Sequence, residues 1–294
     1  MNEFNEKLIA LLHYPNISWS TVFQILKRDP ALESLHPYQS SEQLKMVFPS
    51  NSTGNLAAQP SIQSFYPEII HEQIRQYKTN DITVVTIFDD QYPKYLKEIY
   101  QPPWALFAKG DISLLEKEPK LAVVGSRQAT QYGRNAIRLL FPDLIDNDVV
   151  IVSGLAMGID ALSHEYAMKN GGRTIAVIAG GLYHIYPKEN VKLALEMMKT
   201  QLIVSEYPPD TMPQRWHFPA RNRIISGMSR GTFIIEAKRK SGSLITANFA
   251  VNEGREVFSL PGSIFNPCSV GANELIQQGA KLVTNAEDIL SEMR

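Results

Sequence analysis

Basic side chains and glycines recur together just past apolar runs in this sequence, an arrangement suited to gripping phosphate. Leu121–Val124 gives way to Gly125, Ser126 and Arg127, and Val149–Val152 leads into Ser153, Gly154, Leu155, Ala156, Met157 and Gly158. Thr174–Ile178 is followed by Ala179, Gly180 and Gly181, then by Tyr186, Pro187 and Lys188. Trp216 and His217 precede Phe218-Pro219-Ala220-Arg221-Asn222-Arg223. Glycine lets a ligand's backbone approach main chain closely. An arginine fork holds phosphate through two parallel bonds, and aromatic faces stack bases. Taken singly, each basic residue is better explained as a solvated surface charge. Several on one rim point instead to a polyanion. For the cluster Lys238, Arg239 and Lys240, a solvated turn is as good an explanation as ligand contact.

No catalytic set assembles beside them. The sequence lacks G-x-x-x-x-G-K-[ST], has no G-x-G-x-x-G after a strand and has no G-x-S-x-G elbow. Cys268 is the only cysteine and has no evident activating partner. His164 reads as a packed, hydrogen-bonded helical histidine, and Asp160 as a helix cap. Glu206 and Glu236, each at a strand end, form the best acidic pair. Glu236 serves equally as an anchor for Arg221 or Arg223.

The elements that must position these residues follow from periodicity. Short apolar runs at 82–87, 121–124, 149–152, 174–178, 202–205, 232–235 and 256–260 read as strands. Between them lie helical stretches near 132–145, 159–169, 190–200, 219–228 and 243–253. Strands alternating with helices of that length imply βαβ units and a parallel sheet buried on both faces, doubly wound by right-handed crossovers. Ligands of such sheets bind beyond the carboxyl ends of the strands, near a reversal of strand order. Helices that start there aim N–H groups at an anion. Upstream, Phe4, Leu8, Leu11 and Leu12 fall on one helical face. Ser18 or Ser20 suits the cap of a second helix carrying Trp19, Val22, Phe23, Ile25 and Leu26. Residues 48–61 read as a loop, and Phe65 to Tyr77 as a third amphipathic stretch.

Totals set the limits. Formal net charge is −1 over 294 residues, so no global field attracts nucleic acid and any polyanion site must be a local concentration of charge. A single cysteine rules out an intrachain disulfide and fits a reducing compartment. The first residues lack a signal-peptide pattern, and no apolar run approaches the roughly 20 residues needed to cross a bilayer. The expectation is a cytoplasmic protein without a membrane span.

At this point the sequence resembles the DNA-processing protein A (DprA/Smf) family. The motifs that carry the resemblance are V-V-G-S-R at 123–127, S-G-L-A-x-G-I-D at 153–160 and the Gly-Gly…Tyr-Pro-x-x-Asn run through Asn190. Further matches are Ser205-Glu206-Tyr207-Pro208, F-P-x-R-N-R at 218–223 and Ser241 to Ala247. The last are Gly254 to Phe258, Pro261-Gly262, and Gly271-Ala272-Asn273 through Ala280. They run in the family's order from about residue 82 to 284.

The resemblance implies an extended Rossmann-like, doubly wound, mostly parallel α/β domain at 79–294. A small all-helical, SAM-like domain at 1–78 precedes it, and no C-terminal winged-helix domain is expected. It implies a non-catalytic single-stranded DNA-binding protein that protects incoming strands in natural transformation and helps load the RecA recombinase. Other single-strand-binding or competence proteins are further expected partners. Carried over by motif, the pocket comprises Ser126, Arg127, Gly154, Gly158, Gly180, Lys188, Phe218, Arg221, Asn222 and Arg223. Ser243 and Thr246 line it, and Arg127 and Lys188 take the leading phosphate roles. No cofactor or metal is expected. A homodimer is implied, with Ile276 and Leu282 near its interface. A second, fainter resemblance is to nucleotide phosphoribohydrolases of the lysine-decarboxylase-like Rossmann group. There Gly231-Thr232 followed by Glu236 is faintly similar to the end of G-G-x-G-T-x-x-E, with one residue more before the Glu, while Met228, Ser229 and Arg230 replace its leading glycines. A protein–protein adaptor, which would not need the glycine-lined crevice, is the third reading.

Overall fold

A computed structural model describes residues 2–14, 17–33 and 67–293. The expected loop at 48–61 and Phe65 lie outside the described residues. The chain divides into two compact units, Met1–Ile82 and Thr83–Arg294.

In the first unit, α1 (Glu3–Leu12) starts at Asn2, whose side chain accepts from the Asn5 N–H. Ser18 caps α2 (Trp19–Arg28) by accepting from the Thr21 N–H at 3.1 Å, so the cap falls on the first of the two candidate serines. A third helix, α3, covers Pro67–Thr79. The buried face of α1 is Asn5, Leu8, Ile9 and Leu11, rotated from the expected stripe, and leaves Phe4 and Leu12 half-buried. Val22, Ile25, Leu32, Ile74 and Tyr77 are also buried.

The second unit is built on one nine-stranded sheet. Its strands are β1 (Thr83–Thr86), β2 (Ala105–Gly110), β3 (Lys120–Gly125), β4 (Val150–Ser153), β5 (Thr174–Ile178), β6 (Leu202–Ser205), β7 (Gly231–Ile235), β8 (Glu256–Ser259) and β9 (Lys281–Leu282). The spatial order is β1-β2-β6-β5-β4-β3-β7-β8-β9. From β6 to β9 every neighbour is parallel, while β2 runs antiparallel to both β1 and β6. The reversal of order falls between β3 and β7, because the chain builds outward through β6 before returning to lay β7 on the other side of β3. A parallel sheet with a crevice at that point is the expected architecture.

Helices connect the strands: α4 (Lys94–Lys97), α5 (Gln131–Asp146), α6 (Ile159–Lys169), α7 (Val191–Thr200), α8 (His217–Gly227), α9 (Gly242–Asn252), α10 (Val270–Gln277) and α11 (Glu287–Met293). One core joins Ile137, Leu140, Phe141 and Leu144 of α5 to Leu121, Val123, Phe233, Ile235 and Phe258 of the strands, with Ile289 and Leu290 of α11 closing it. Helices α8 and α9 add nothing to that cluster; they pack on one another and on the sheet at β3, β5 and β7.

Strands β2 and β9 were not expected. β2 follows Pro102-Pro103 and is uniformly buried from Ala105 to Ala108, so it shows no alternation, and only the four-residue α4 separates it from β1. β9 is only two residues long. Lys120, at the start of β3, is fully buried. Its ammonium donates to the Lys117 carbonyl at 2.5 Å and pairs with Glu118 at 2.8 Å, which lets a charge begin an interior strand.

Candidate nucleic-acid interface

The loops after β3 and β4 fit together backbone to backbone. Ser126 Oγ accepts from the Gln128 N–H and donates to the Gln128 carbonyl, both at 3.1 Å, closing a tight turn from which Arg127 projects, exposed. The Ile159 N–H donates to the Ser126 carbonyl at 3.1 Å. Gly158, at φ +80, is the N-terminal boundary residue of α6. A Cβ there would lie 2.2 Å from the Ser126 carbonyl oxygen, a steric demand as well as a backbone one. Gly158→Ala is therefore expected to lower stability by about 2–3 kcal/mol, read as a fall in the urea midpoint.

Arg221, from α8, lies beneath this loop and is 6% exposed. Its Nη1 donates to the carbonyls of Gly154 and Val177, both at 2.5 Å, and its Nε to Asn222 Oδ1 at 3.2 Å. A Cβ on Gly154 would meet this guanidinium at 2.6 Å. Burial lowers the Arg221 pKa to about 10, against the opposing pull of Asp160. Asp160, on the first turn of α6, accepts from the Gly154 N–H at 3.2 Å. Burial raises its pKa to about 6, opposed by Arg221 and by backbone N–H groups of Ala156 and Gly154. Asp160 thus ties down the loop instead of capping its own helix. Arg221 is an internal pin whose charge reaches the cleft without a free fork.

Above this floor opens a cleft of about 760 Å³. Of the residues singled out in the sequence, Ser126, Arg127, Phe218, Arg221, Asn222, Ser243 and Thr246 line it. Gly154 and Gly180 line a smaller recess that shares Arg127, Phe218 and Arg221 with it. Three expected residues stand elsewhere. Gly158 is the packed turn just described. Lys188 is exposed one residue beyond Pro187, outside the lining of both spaces. Arg223 turns away to an ion pair with Glu206. Arg215, Lys238, Gln128 and Tyr186 complete the cleft; Arg215 was not singled out, although it sits in the same basic and aromatic run as Trp216 and Phe218.

Helix ends contribute unequally. The start of α5 is already answered, because Glu236 accepts from the Thr130 N–H at 2.9 Å and from the Thr130 hydroxyl. Glu236 therefore anchors neither arginine, and with Glu206 held by Arg223 both members of the acidic pair have partners. The α9 start is different. Ser241 makes no side-chain cap bond there, and Ser241, Gly242 and Ser243 all face the cleft, so first-turn N–H groups are placed to meet an anion. His164 is wholly buried, with Nδ1 bonded to Thr174 Oγ1 at 2.6 Å, and burial lowers its pKa to about 3. It is the packed, hydrogen-bonded histidine expected. Ile276 is half-buried, and Leu282, on β9 at the sheet edge, is exposed. No helix among the described residues is long and apolar enough to cross a membrane.

The family model for DNA recombination-mediator protein A matches residues 83–294. The chain is 45% identical to the DNA processing protein DprA of Bacillus subtilis over 280 residues, covering 94% of this chain and 91% of that protein. It is 51% identical to its Streptococcus pneumoniae counterpart over 207 residues, 70% of this chain and 73% of that one. The crystal structure of the S. pneumoniae protein superposes with a TM-score of 0.79 at 38% identity, covering 98% of both chains. A structure of DNA processing protein A from Helicobacter pylori, described for its single-stranded DNA binding mode, gives 0.65 at 33% identity. That match covers 71% of this chain and 94% of that one.

Proposed function

The chain belongs to the DNA recombination-mediator protein A family, and on that premise we propose that it binds single-stranded DNA in the cleft without catalysing a reaction on it. The observation that carries this reading is the gathering of Arg127, Arg215 and Lys238 around one opening in a chain of net charge −1. These side chains and the first turn of α9 offer phosphate contacts. Phe218 and Tyr186 offer faces for bases. The single-strand binding of the H. pylori relative supports the same ligand. The family resemblance extends the reading to a cytoplasmic protein that protects incoming strands during transformation and helps load RecA recombinase. It also extends it to a homodimer, for which exposed Leu282 and half-buried Ile276 near the β9 edge are available.

Fluorescence anisotropy with an oligothymidylate tests the reading. Affinity is expected to fall steeply with salt, by about 0.7 logarithmic units per phosphate contact for each tenfold increase. No binding at low ionic strength would overturn it. The same titration carries a pH signature. Asp160 lines the cleft with a pKa of about 6, and its negative charge opposes a polyanion. Protonation removes that charge, so affinity should rise several-fold as pH falls from 7 to 5.5. Asp160→Asn should flatten that part of the profile.

A further inference from the structure

Beside the cleft stands an aromatic side chain to which phosphate binding gives no role. Trp216 is 64% exposed, leaving a large apolar ring in water immediately after Arg215, which lines the cleft, and two residues before Phe218. The ring is nonetheless held in place. It meets the His217 ring at 3.9 Å with an interplanar angle of 78° and the Tyr207 ring at 6.5 Å and 84°. His217 is stacked on Tyr207 at 4.0 Å. His217 is buried, its Nδ1 accepting from the Gln214 N–H at 3.1 Å. Both contacts to the indole are near-perpendicular, so neither covers it as a parallel stack would.

The surroundings say what the ring would meet. Tyr186, 53% exposed, packs edge-on against Phe218 at 5.4 Å, so aromatic side chains stand beside Arg215 where it lines the cleft. A strand with a phosphate on Arg215 would pass next to Trp216, its neighbour in the chain. A fixed, uncovered aromatic there offers a planar partner at little ordering cost.

We propose that Trp216 is a base-stacking station that recognises the free face of an unpaired nucleobase and so favours single over double strands. The inference rests on the single-strand reading of the cleft. Bases in a duplex have both faces covered by their neighbours, so the indole rewards only an open strand, and it does so without regard to sequence.

The test compares wild type, Trp216→Leu and Trp216→Phe against an oligothymidylate and an abasic deoxyribose-phosphate oligomer of equal length. Trp216→Leu is expected to weaken oligothymidylate binding about 5- to 100-fold, and Trp216→Phe by no more than a few-fold. The salt slope should stay unchanged, because no phosphate contact is lost. The abasic oligomer should bind wild type and Trp216→Leu alike. Part of the tryptophan emission of wild type should be quenched by oligothymidylate, and that part should be missing in Trp216→Phe. If Trp216→Leu holds oligothymidylate as tightly as wild type, or loses both oligomers equally, the stacking role is overturned while the phosphate cleft stands. If wild type binds neither oligomer, the underlying reading falls and this one with it.

Discussion

Arg221→Met is expected to cost the fold about 3–5 kcal/mol, the usual penalty for removing one partner of a buried charged pair. The guanidinium supplies donors to the Gly154 and Val177 carbonyls and the counter-charge for Asp160. Methionine fills some of the volume and supplies neither. The loss will also depend on pH, with a defined sign. The Asp160 carboxyl titrates near 6 when folded and near 3.9 in an unfolded chain, so the folded state binds the proton more tightly. Its favourable contribution is complete below about pH 4 and is lost as pH rises through 6. Without Arg221 the folded value rises further, so the variant will recover stability between pH 7 and pH 5 more than wild type does. Combining it with Asp160→Asn is expected to restore about 1–3 kcal/mol through coupling of the two sites. Urea titrations at the two pH values, followed by circular dichroism, measure all of this. A variant as stable as wild type at pH 7 would show that the pin is dispensable.

The second large effect is on binding. Arg127→Glu with Arg215→Glu is expected to lower oligothymidylate affinity by about two orders of magnitude and the magnitude of the salt slope by about 1.4 units, the share of two single-strand phosphate contacts. Both side chains line the cleft and are exposed, and Arg127 acts on the buried Asp160 and Arg221 by charge alone, favouring one ion and opposing the other, so the urea midpoint should move little. Lys188→Glu serves as the comparison. Lys188 stands outside both spaces, and a matching loss there would extend the strand's path past Pro187.

From β3 to β8 the fold was readable because strands buried on both faces leave uninterrupted apolar runs, and helices of ordinary length separate them. β2 escaped for the opposite reason: an antiparallel strand wedged between β1 and β6 follows no βαβ rhythm. Within the site, the glycine loop was legible as a place of close approach, but it was read as room for a ligand's backbone, whereas Gly158 packs against the Ser126 carbonyl and Gly154 against the Arg221 guanidinium. The division of labour among the arginines was not legible, although helix geometry contained part of it. Arg221 and Arg223 are two residues apart on α8, about 200° around the axis, and so cannot both face one cleft. One pins the loop and the other meets Glu206. The cleft's second cation comes from Arg215, ahead of the helix, where periodicity says nothing. The sequence left Lys238 open between a solvated turn and ligand contact, because only the parallel pairing of β3 with β7 carries it alongside Gln128, its neighbour at 3.4 Å.

That pairing also governs when the cleft can exist. Its two walls, joined by the bond from Thr130 to Glu236, lie 106 residues apart in the chain, and β7 reaches β3 only after β4, β5 and β6 have been made. Contacts of such span form late. A chain emerging from the ribosome therefore displays Arg127 long before Lys238 exists to face it, and the two walls of the cleft meet only once β7 is in place.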